Sequence, residues 1–363
     1  MHTQFATEKH VKYLKRHLGL LPSSQQSHDV NKMAIIFYSL VSLSAIGIDV
    51  AKEYGSSAQW ICRHRIALES SGSKVALSGF VGSLTLDIPN TNTVSLPNTL
   101  FALLVLRLLK CDEFFCSVRN RETICAFVST CQVAEDGSFT SVLANKHFLP
   151  SPLDASDLRF CFIAVEILCL LGCRKLQDYS KYINVDKLIA YILSQQCDSG
   201  GFGSYGEPHA GYTSCALSTL SLLESLACLT DEFKELTLLW LVHRQVSDEG
   251  CMQLQCKNPF FDEEDHGGFQ GRENKFADTC YAFWCLNSMN ILQFNTSATL
   301  GTFESAKMYL LSRTQNTIIG GFSKNDVDDP DLYHTCLGVA ALKLIEGTFN
   351  GVLFLPSAID VSS

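Results

Sequence analysis

Between Gly271 and Trp284 the chain gathers two cations, a carboxylate, a thiol and a phenol: Arg272, Lys275, Asp278, Cys280 and Tyr281. A shorter run, Leu332-Tyr333-His334-Thr335-Cys336, repeats part of that order. Aligning Asp278-Thr279-Cys280 with His334-Thr335-Cys336 puts Asp278 and His334 at one position of two successive units. If those units stand side by side, Asp278, Cys280 and His334 converge. Carboxylate, thiolate and imidazole are all zinc donors, and three protein donors with a fourth position open describe a catalytic site. Such a site can take a substrate thiol and ionise it. On the residues alone the plainer readings stay open. An Asp at a helix start is a common N-cap, and a Cys in an apolar helix is a small core residue.

Arg272 and Lys275 lie just upstream of a predicted helix N-terminus. Two cations, a helix-dipole end and the Tyr281 phenol suit a phosphate or diphosphate. His209, in Glu207-Pro208-His209-Ala210-Gly211-Tyr212, opens the preceding predicted helix and can donate to the same anion. Solvated loop cations and a structural histidine are the alternatives.

These groups need elements to hold them. Five segments share one layout, in which a small-residue turn ends in Phe, a polar loop follows, and a long apolar stretch comes next. The turns are Ser78-Gly79-Phe80, Gly137-Ser138-Phe139, Gly200-Gly201-Phe202, Gly267-Gly268-Phe269 and Gly320-Gly321-Phe322. The apolar stretches begin near Leu100, Phe160, Tyr212, Cys280 and Thr335. Each unit has room for two helices and shows no strand alternation, so the period reads as an all-α repeat array. Residues 212–223 and 335–346 are apolar on nearly every side, as fully buried helices are. Residues 9–21 instead place Val11, Leu14, Leu18 and Leu21 on one face. A ring of amphipathic helices around the apolar ones is an α/α toroid, expected as one domain over residues 1–363. Its polar loops, and the N-termini of its inner helices, would gather at one mouth.

Composition narrows the partners. The 363 residues are 47% hydrophobic, enough for a large core. A net charge of −9 with only 28 Lys+Arg argues against nucleic acid. No apolar run is long enough to span a membrane, and Met1–Leu21 lacks the order of a signal peptide. The 16 Cys lack CxxC spacing and read as reduced thiols of a cytoplasmic protein. Val361-Ser362-Ser363 carries no CaaX cysteine, so the chain is not expected to be prenylated itself.

The pattern Gly-Arg-x-Asn-Lys-x-x-Asp-x-Cys-Tyr-x-Phe-Trp at 271–284 resembles the signature of protein prenyltransferase β subunits. So do the Gly-Gly-Phe turns, His-x-Gly-Tyr-Thr around His209, and Tyr-His-Thr-Cys at 333–336. The resemblance implies an α/α toroid with one zinc ion on Asp278, Cys280 and His334. It implies a diphosphate held by His209, Arg272, Lys275 and Tyr281, and an isoprenoid packed on a wall that includes Phe162 and Trp284. It also implies an obligate α subunit, and places Arg159 near the acceptor peptide.

Within the family, Lys9-His10-Val11-Lys12-Tyr13-Leu14-Lys15-Arg16 resembles the farnesyl and type I geranylgeranyl subunits more than the Rab-directed one. Ala34 matches a pocket position that is Trp in farnesyl and Thr in type I subunits. Leu337 stands where farnesyl subunits carry Tyr. Room for one more isoprene unit is worth about 3–4 kcal/mol at roughly 0.8 kcal/mol per buried CH₂. Lys324 stands where farnesyl subunits carry a magnesium-binding Asp and type I subunits a Lys, whose ammonium can replace the metal's charge. The resemblance therefore implies type I activity, with zinc required and magnesium not. Geranylgeranyl would pass from geranylgeranyl diphosphate to the cysteine of CaaX motifs, often ending in Leu, on Rho/Rac/Rap-like small GTPases. Ala210, where the family has Gly, and the farnesyl-like Tyr333 depart from this pattern and leave farnesyl transfer as the alternative. The acidic run Asp262–His266 reads as a solvated loop, or as a steering patch for basic tails. Two rivals are a terpene cyclase, from the DxDD string Asp326-Val327-Asp328-Asp329, and a non-catalytic toroid. The first lacks the Gln- and Trp-rich turns of such cyclases, and the second would have a broken donor set.

Overall fold

In the computed structural model, five of the long apolar segments begin on a residue whose side chain caps a helix. Ser95, Asp157, His209, Asp278 and Asp331 each accept a hydrogen bond from a backbone N–H two or three residues on. Capping of this kind satisfies one of the orphan donors of the first turn. The structure describes residues 4–19, 23, 27, 31–68, 76–85, 93–144, 148–151, 154–247, 263–293, 297–359 and 361.

The main helices are α1 (Thr7–Gly19), α2 (Lys32–Ala45), α3 (Leu96–Leu108), α4 (Val118–Thr130), α5 (Leu158–Leu170) and α6 (Val185–Ser194). They continue as α7 (Ala210–Leu222), α8 (Asp231–Val242), α9 (Thr279–Ile291), α10 (Ser297–Tyr309) and α11 (Leu332–Ile345). Helices α2, α3, α5, α7, α9 and α11 pack neighbour to neighbour, and α11 returns to α2, closing a ring. Helices α4, α6, α8 and α10 alternate with the inner ones along the chain. This is the expected α/α toroid, with one inner helix more than the repeat revealed. α2 has no Gly-Gly-Phe turn before it, so the turn signature could not reveal it. Among the described residues three short antiparallel pairs also form, at Arg65–Leu68 with Leu77–Phe80, Gly203–Ser204 with Glu207–Pro208, and Phe349–Asn350 with Leu355–Pro356.

The repeated turns are the joints of the ring. Phe80, Phe139, Phe202, Phe269 and Phe322 are all fully buried, each worth about 1.5–3 kcal/mol of burial. Buried threonines from the inner helices hold three of these turns: Thr99, Thr213 and Thr335 accept from the N–H of Phe80, Phe202 and Phe322 at 3.0, 2.9 and 2.9 Å. Gly137, Gly200, Gly267 and Gly320 all have φ between +82° and +89°, a region that favours glycine. Each lies against the backbone of an outer helix: α6, α8, α10 and, for Gly320, α1. The N-terminal helix thus fills the outer place beside the last turn, and the two ends of the chain clasp.

That clasp corrects the expected face of α1. The buried residues are His10, Tyr13, Leu14 and His17, while Val11 and Leu18 are half-buried and Leu21 lies outside the described residues. His10 Nδ1 accepts from Gly321 N at 2.9 Å, which leaves the ring proton on Nε2 to donate to Gln315 Oε1 at 2.9 Å. Tyr13 donates to Pro330 O at 2.9 Å. An apolar stripe does not mark the docked face of α1, because the surface it docks on is a polar backbone turn.

A recurring glutamine was also missed. Gln132, Gln245 and Gln315 each bond backbone carbonyls on both sides of a joint, those of Gly137 and Asn184, Gly267 and Thr302, and Leu311 and Gln4. No described helix is long and apolar enough to cross a membrane, and the described cysteines are free, most of them buried.

Candidate active site

The caps that start the inner helices also build the site. Asp278 Oδ1 accepts from Cys280 N at 2.8 Å and faces His334 Nε2 at 3.3 Å. The ligand atoms of Asp278, Cys280 and His334 lie within 4.8 Å of one another. Adjacent inner helices α9 and α11 thus bring together the three groups aligned in the sequence, and Asp278 is N-cap and candidate ligand at once. Behind His334, Asp331 accepts from its Nδ1 at 2.5 Å and from its backbone N–H at 2.8 Å. A carboxylate on the far nitrogen fixes the tautomer and ring orientation of a metal-ligating histidine.

Burial disfavours the Asp278 carboxylate, yet hydrogen bonds involving His334 and Cys280 hold it below the usual range. Burial likewise opposes charge on His334, but Asp278 and Asp331 raise it to about 9. Burial, with Asp278 alongside, pushes the Cys280 thiol well above its ordinary value. The trio thus favours positive charge at its centre. A buried carboxylate and a buried sulfur beside a half-buried, oriented imidazole fit a zinc ion.

On the neighbouring inner helix α7, His209 Nδ1 accepts from Gly211 N at 3.1 Å. The ring proton is therefore on Nε2, 3.2 Å from the Tyr281 hydroxyl. Burial first, then Arg272 and Arg159, lower the His209 pKa, so the ring is a neutral donor. Burial pushes the Tyr281 phenol up to about 12, so it too keeps its proton. Gly271 permits this pairing, because a Cβ there would overlap the Tyr281 ring. Ala210 N donates to Gly271 O at 2.8 Å, tying the start of α7 to the Arg272 loop. Arg272 pairs with Glu207 at 2.9 Å.

These donors open on a cavity of about 690 Å³. Arg159, His209, Arg272, Cys280 and Tyr281 line it, as do the expected Phe162, Trp284 and Leu337. Arg159 is held by Asp157, its own helix cap, at 2.6 Å and keeps an exposed guanidinium. Five expected residues are not on the wall: Asp278 and His334 stand behind Cys280, which alone of the trio lines the cavity, and Ala34, Lys275 and Lys324 lie elsewhere. Ala34 is half-buried on α2, one turn before the lining Phe37 and Tyr38. Lys275 and Lys324 are exposed, as long hydrated cations on open loops are. Lys324 stays beside the trio through its carbonyl, which accepts from Thr279 N at 2.9 Å. Asp326, Val327, Asp328 and Asp329 are exposed outside the cavity, unlike a cyclase acid that must face its substrate. The described part of the acidic insert includes Asp265, buried and accepting from Ala277 N at 2.8 Å, so it is partly structural. Asp262 lies outside the described residues.

Sequence reasoning missed several site residues. Asp331 had a signal, since an Asp three residues before His334 is a capping spacing. Leu104, Glu166 and Phe354 also line the cavity. Phe354 comes from the segment after α11 and packs on Phe37 and Phe283 with ring centroids at 5.8 and 4.8 Å.

Comparison with known proteins agrees with this geometry. Residues 5–356 match the family described as the prenyltransferase alpha-alpha toroid domain. The chain is 28% identical to the geranylgeranyl transferase type-1 subunit beta of Arabidopsis thaliana, covering 94% of this chain and 85% of that one. It is 30% identical to the protein of the same name from Dictyostelium discoideum, covering 92% and 89%. The solved Candida albicans protein geranylgeranyltransferase-I, complexed with GGPP, superposes with a TM-score of 0.82 at 30% identity, covering 98% of this chain and 96% of that one. A toroid whose inner-helix caps bring together a thiol, an imidazole and a carboxylate beside an apolar cavity thus belongs to the prenyltransferase family, in the group of type I geranylgeranyltransferase β subunits.

Proposed function

We propose that this chain is the β subunit of a zinc-dependent protein geranylgeranyltransferase type I. It would work as an obligate heterodimer with an α subunit and transfer geranylgeranyl from its diphosphate to the cysteine of C-terminal CaaX motifs. The observation that carries the reading is the convergence of Asp278, Cys280 and His334, with Asp331 behind the histidine and Cys280 on the wall of the apolar cavity. Zinc held there would keep an acceptor thiol ionised at neutral pH.

The chain's own residues account for the rest. Trp284, Phe162 and Leu337 pack the prenyl chain and keep water from it. His209 Nε2 and the Tyr281 hydroxyl each offer a proton to the diphosphate, and Arg272 can exchange Glu207 for it. Such preorganised donors act most strongly on the charge that grows on the leaving oxygen. The exposed ammoniums of Lys275 and Lys324 supply mobile charge at the mouth, and Lys324 would stand in for magnesium. Arg159 would meet the acceptor peptide. The acceptors would be cytoplasmic small GTPases of the Rho, Rac and Rap kind. Tyr333, exposed and on the same wall, supports farnesyl diphosphate as a slower second donor.

In the heterodimer, Cys280→Ser and His334→Ala should each lose bound zinc and prenyl transfer together. Full zinc content and activity in either variant would refute the assignment. Tyr281→Phe should keep zinc and slow transfer by roughly 10²-fold, the scale for one lost donor to a developing anion.

A further inference from the structure

The cavity face of α5 reads Arg159, Phe162, Ile163 and Glu166, positions i, i+3, i+4 and i+7 of one helical stripe. The arginine suits the mouth, and the next two suit an apolar wall. Glu166 does not fit that sequence. It is 1% exposed, and its Oε1 is buried without a hydrogen-bond partner. Burial pushes its carboxyl well above the ordinary carboxylate range, so it is a neutral acid.

Helix register puts it deep. Leu104 on α3 and Glu166 on α5 each stand eight residues past the first residue of their helix (96 to 104, 158 to 166), about 12 Å at 1.5 Å per residue. The deepest lining residues of the other inner helices are Tyr38, Cys215, Trp284 and Leu337. They stand only five or six residues in (32 to 38, 210 to 215, 279 to 284, 332 to 337). Glu166 is therefore on the floor, away from the donors at the mouth.

Resting on the reading of this cavity as a prenyl-chain site, we propose that Glu166 forms a polar subsite at its floor that takes a hydroxyl group on the distal end of a prenyl diphosphate. A neutral carboxyl offers one donor and an acceptor, and a hydroxyl offers the same pair in return. A plain hydrocarbon end leaves the acid unpartnered in a dry site, which costs free energy. A site built to hydrogen-bond a hydroxyl discriminates strongly against the analogue lacking it.

The test is equilibrium binding to the heterodimer without acceptor peptide, so that only the prenyl chain reaches the floor. Three probes are compared: geranylgeranyl diphosphate, its analogue hydroxylated on the terminal isoprene unit, and one hydroxylated on the first unit. Wild type should bind the terminally hydroxylated probe at least as tightly as the plain one, and the first-unit probe more weakly. Glu166→Leu should shift the ratio of terminal-hydroxyl to plain affinity by tenfold or more toward the plain chain, while Glu166→Gln keeps the wild-type order. An unchanged ratio in Glu166→Leu would overturn the proposal. So would wild type treating the two hydroxylated probes alike, a comparison that does not depend on any variant folding. If wild type fails to bind geranylgeranyl diphosphate itself, the prenyl reading of the cavity falls, and this proposal with it.

Discussion

Asp278 carries two duties, and its neighbours show how the site separates them. As a cap it accepts from Cys280 N, and as a candidate ligand it faces His334. Asp331 also caps, but its second oxygen only orients His334. Asp331→Asn should therefore keep the fold and the donor set while lowering zinc affinity about 10–100-fold, read by chelator competition on the heterodimer. Unchanged affinity would mean that the Asp331 contact does not orient a ligand. The trio was legible because two repeat units could be laid on each other. Glu166 was not legible, because one acid in an apolar helix gives no sign of which side faces a cavity. Ala34 illustrates the reverse problem. A matching position identified it, but the cavity wall of α2 is made by the larger Phe37 and Tyr38.

At the scale of elements, the ring depends on where one helix backbone meets another's turn. Gly320 has φ +87°, and a Cβ there would overlap the Lys9 carbonyl of α1. Gly206 has φ +78° but open space around its Cβ direction. Gly320→Ala combines backbone strain with overpacking and should destabilise by roughly 2–5 kcal/mol, whereas Gly206→Ala should cost only about 1 kcal/mol of backbone strain. Denaturant midpoints of the two variants would compare them, and equal losses would show that the clasp contributes nothing.

The same clasp gives a pH dependence. Burial, only partly offset by Gln315, lowers the His10 pKa, so the unfolded chain binds more protons than the folded one in the window just below the ordinary value of 6.5. Stability is then present above that value and is lost as pH falls through the lower folded pKa. Thermal midpoints should drop on going from neutral to mildly acid buffer, and His10→Gln should flatten that drop. An unaltered profile would assign the acid sensitivity elsewhere. The inner helices were legible because they run mostly apolar for more than three turns with few charges. Their starts fell up to four residues earlier than the apolar stretches, because the caps are polar residues lying outside the hydrophobic run. The α1 face and the glutamine joints were missed for a related reason: both satisfy backbone groups rather than bury apolar area.

For the molecule as a whole, closure of the ring is what turns scattered residues into one site. Asp278 and His334 are 56 positions apart in the chain (278 to 334), and only adjacent inner helices make them neighbours. The toroid was readable from five turns and their spacing. Its sixth inner helix and the Phe354 segment beneath it were not, because neither follows the repeat. The charged mouth and apolar interior suit a ligand with an anionic head and a hydrocarbon tail, and the central claim is that this ligand is geranylgeranyl diphosphate. The most direct measurement uses the chain co-expressed with a cognate α subunit. It compares transfer of geranylgeranyl and farnesyl to a Cys-a-a-Leu peptide, with zinc supplied and magnesium omitted. The expected result is faster geranylgeranyl transfer without magnesium. Faster farnesyl transfer, or a strict need for magnesium, would contradict the roles given to the cavity and to Lys324.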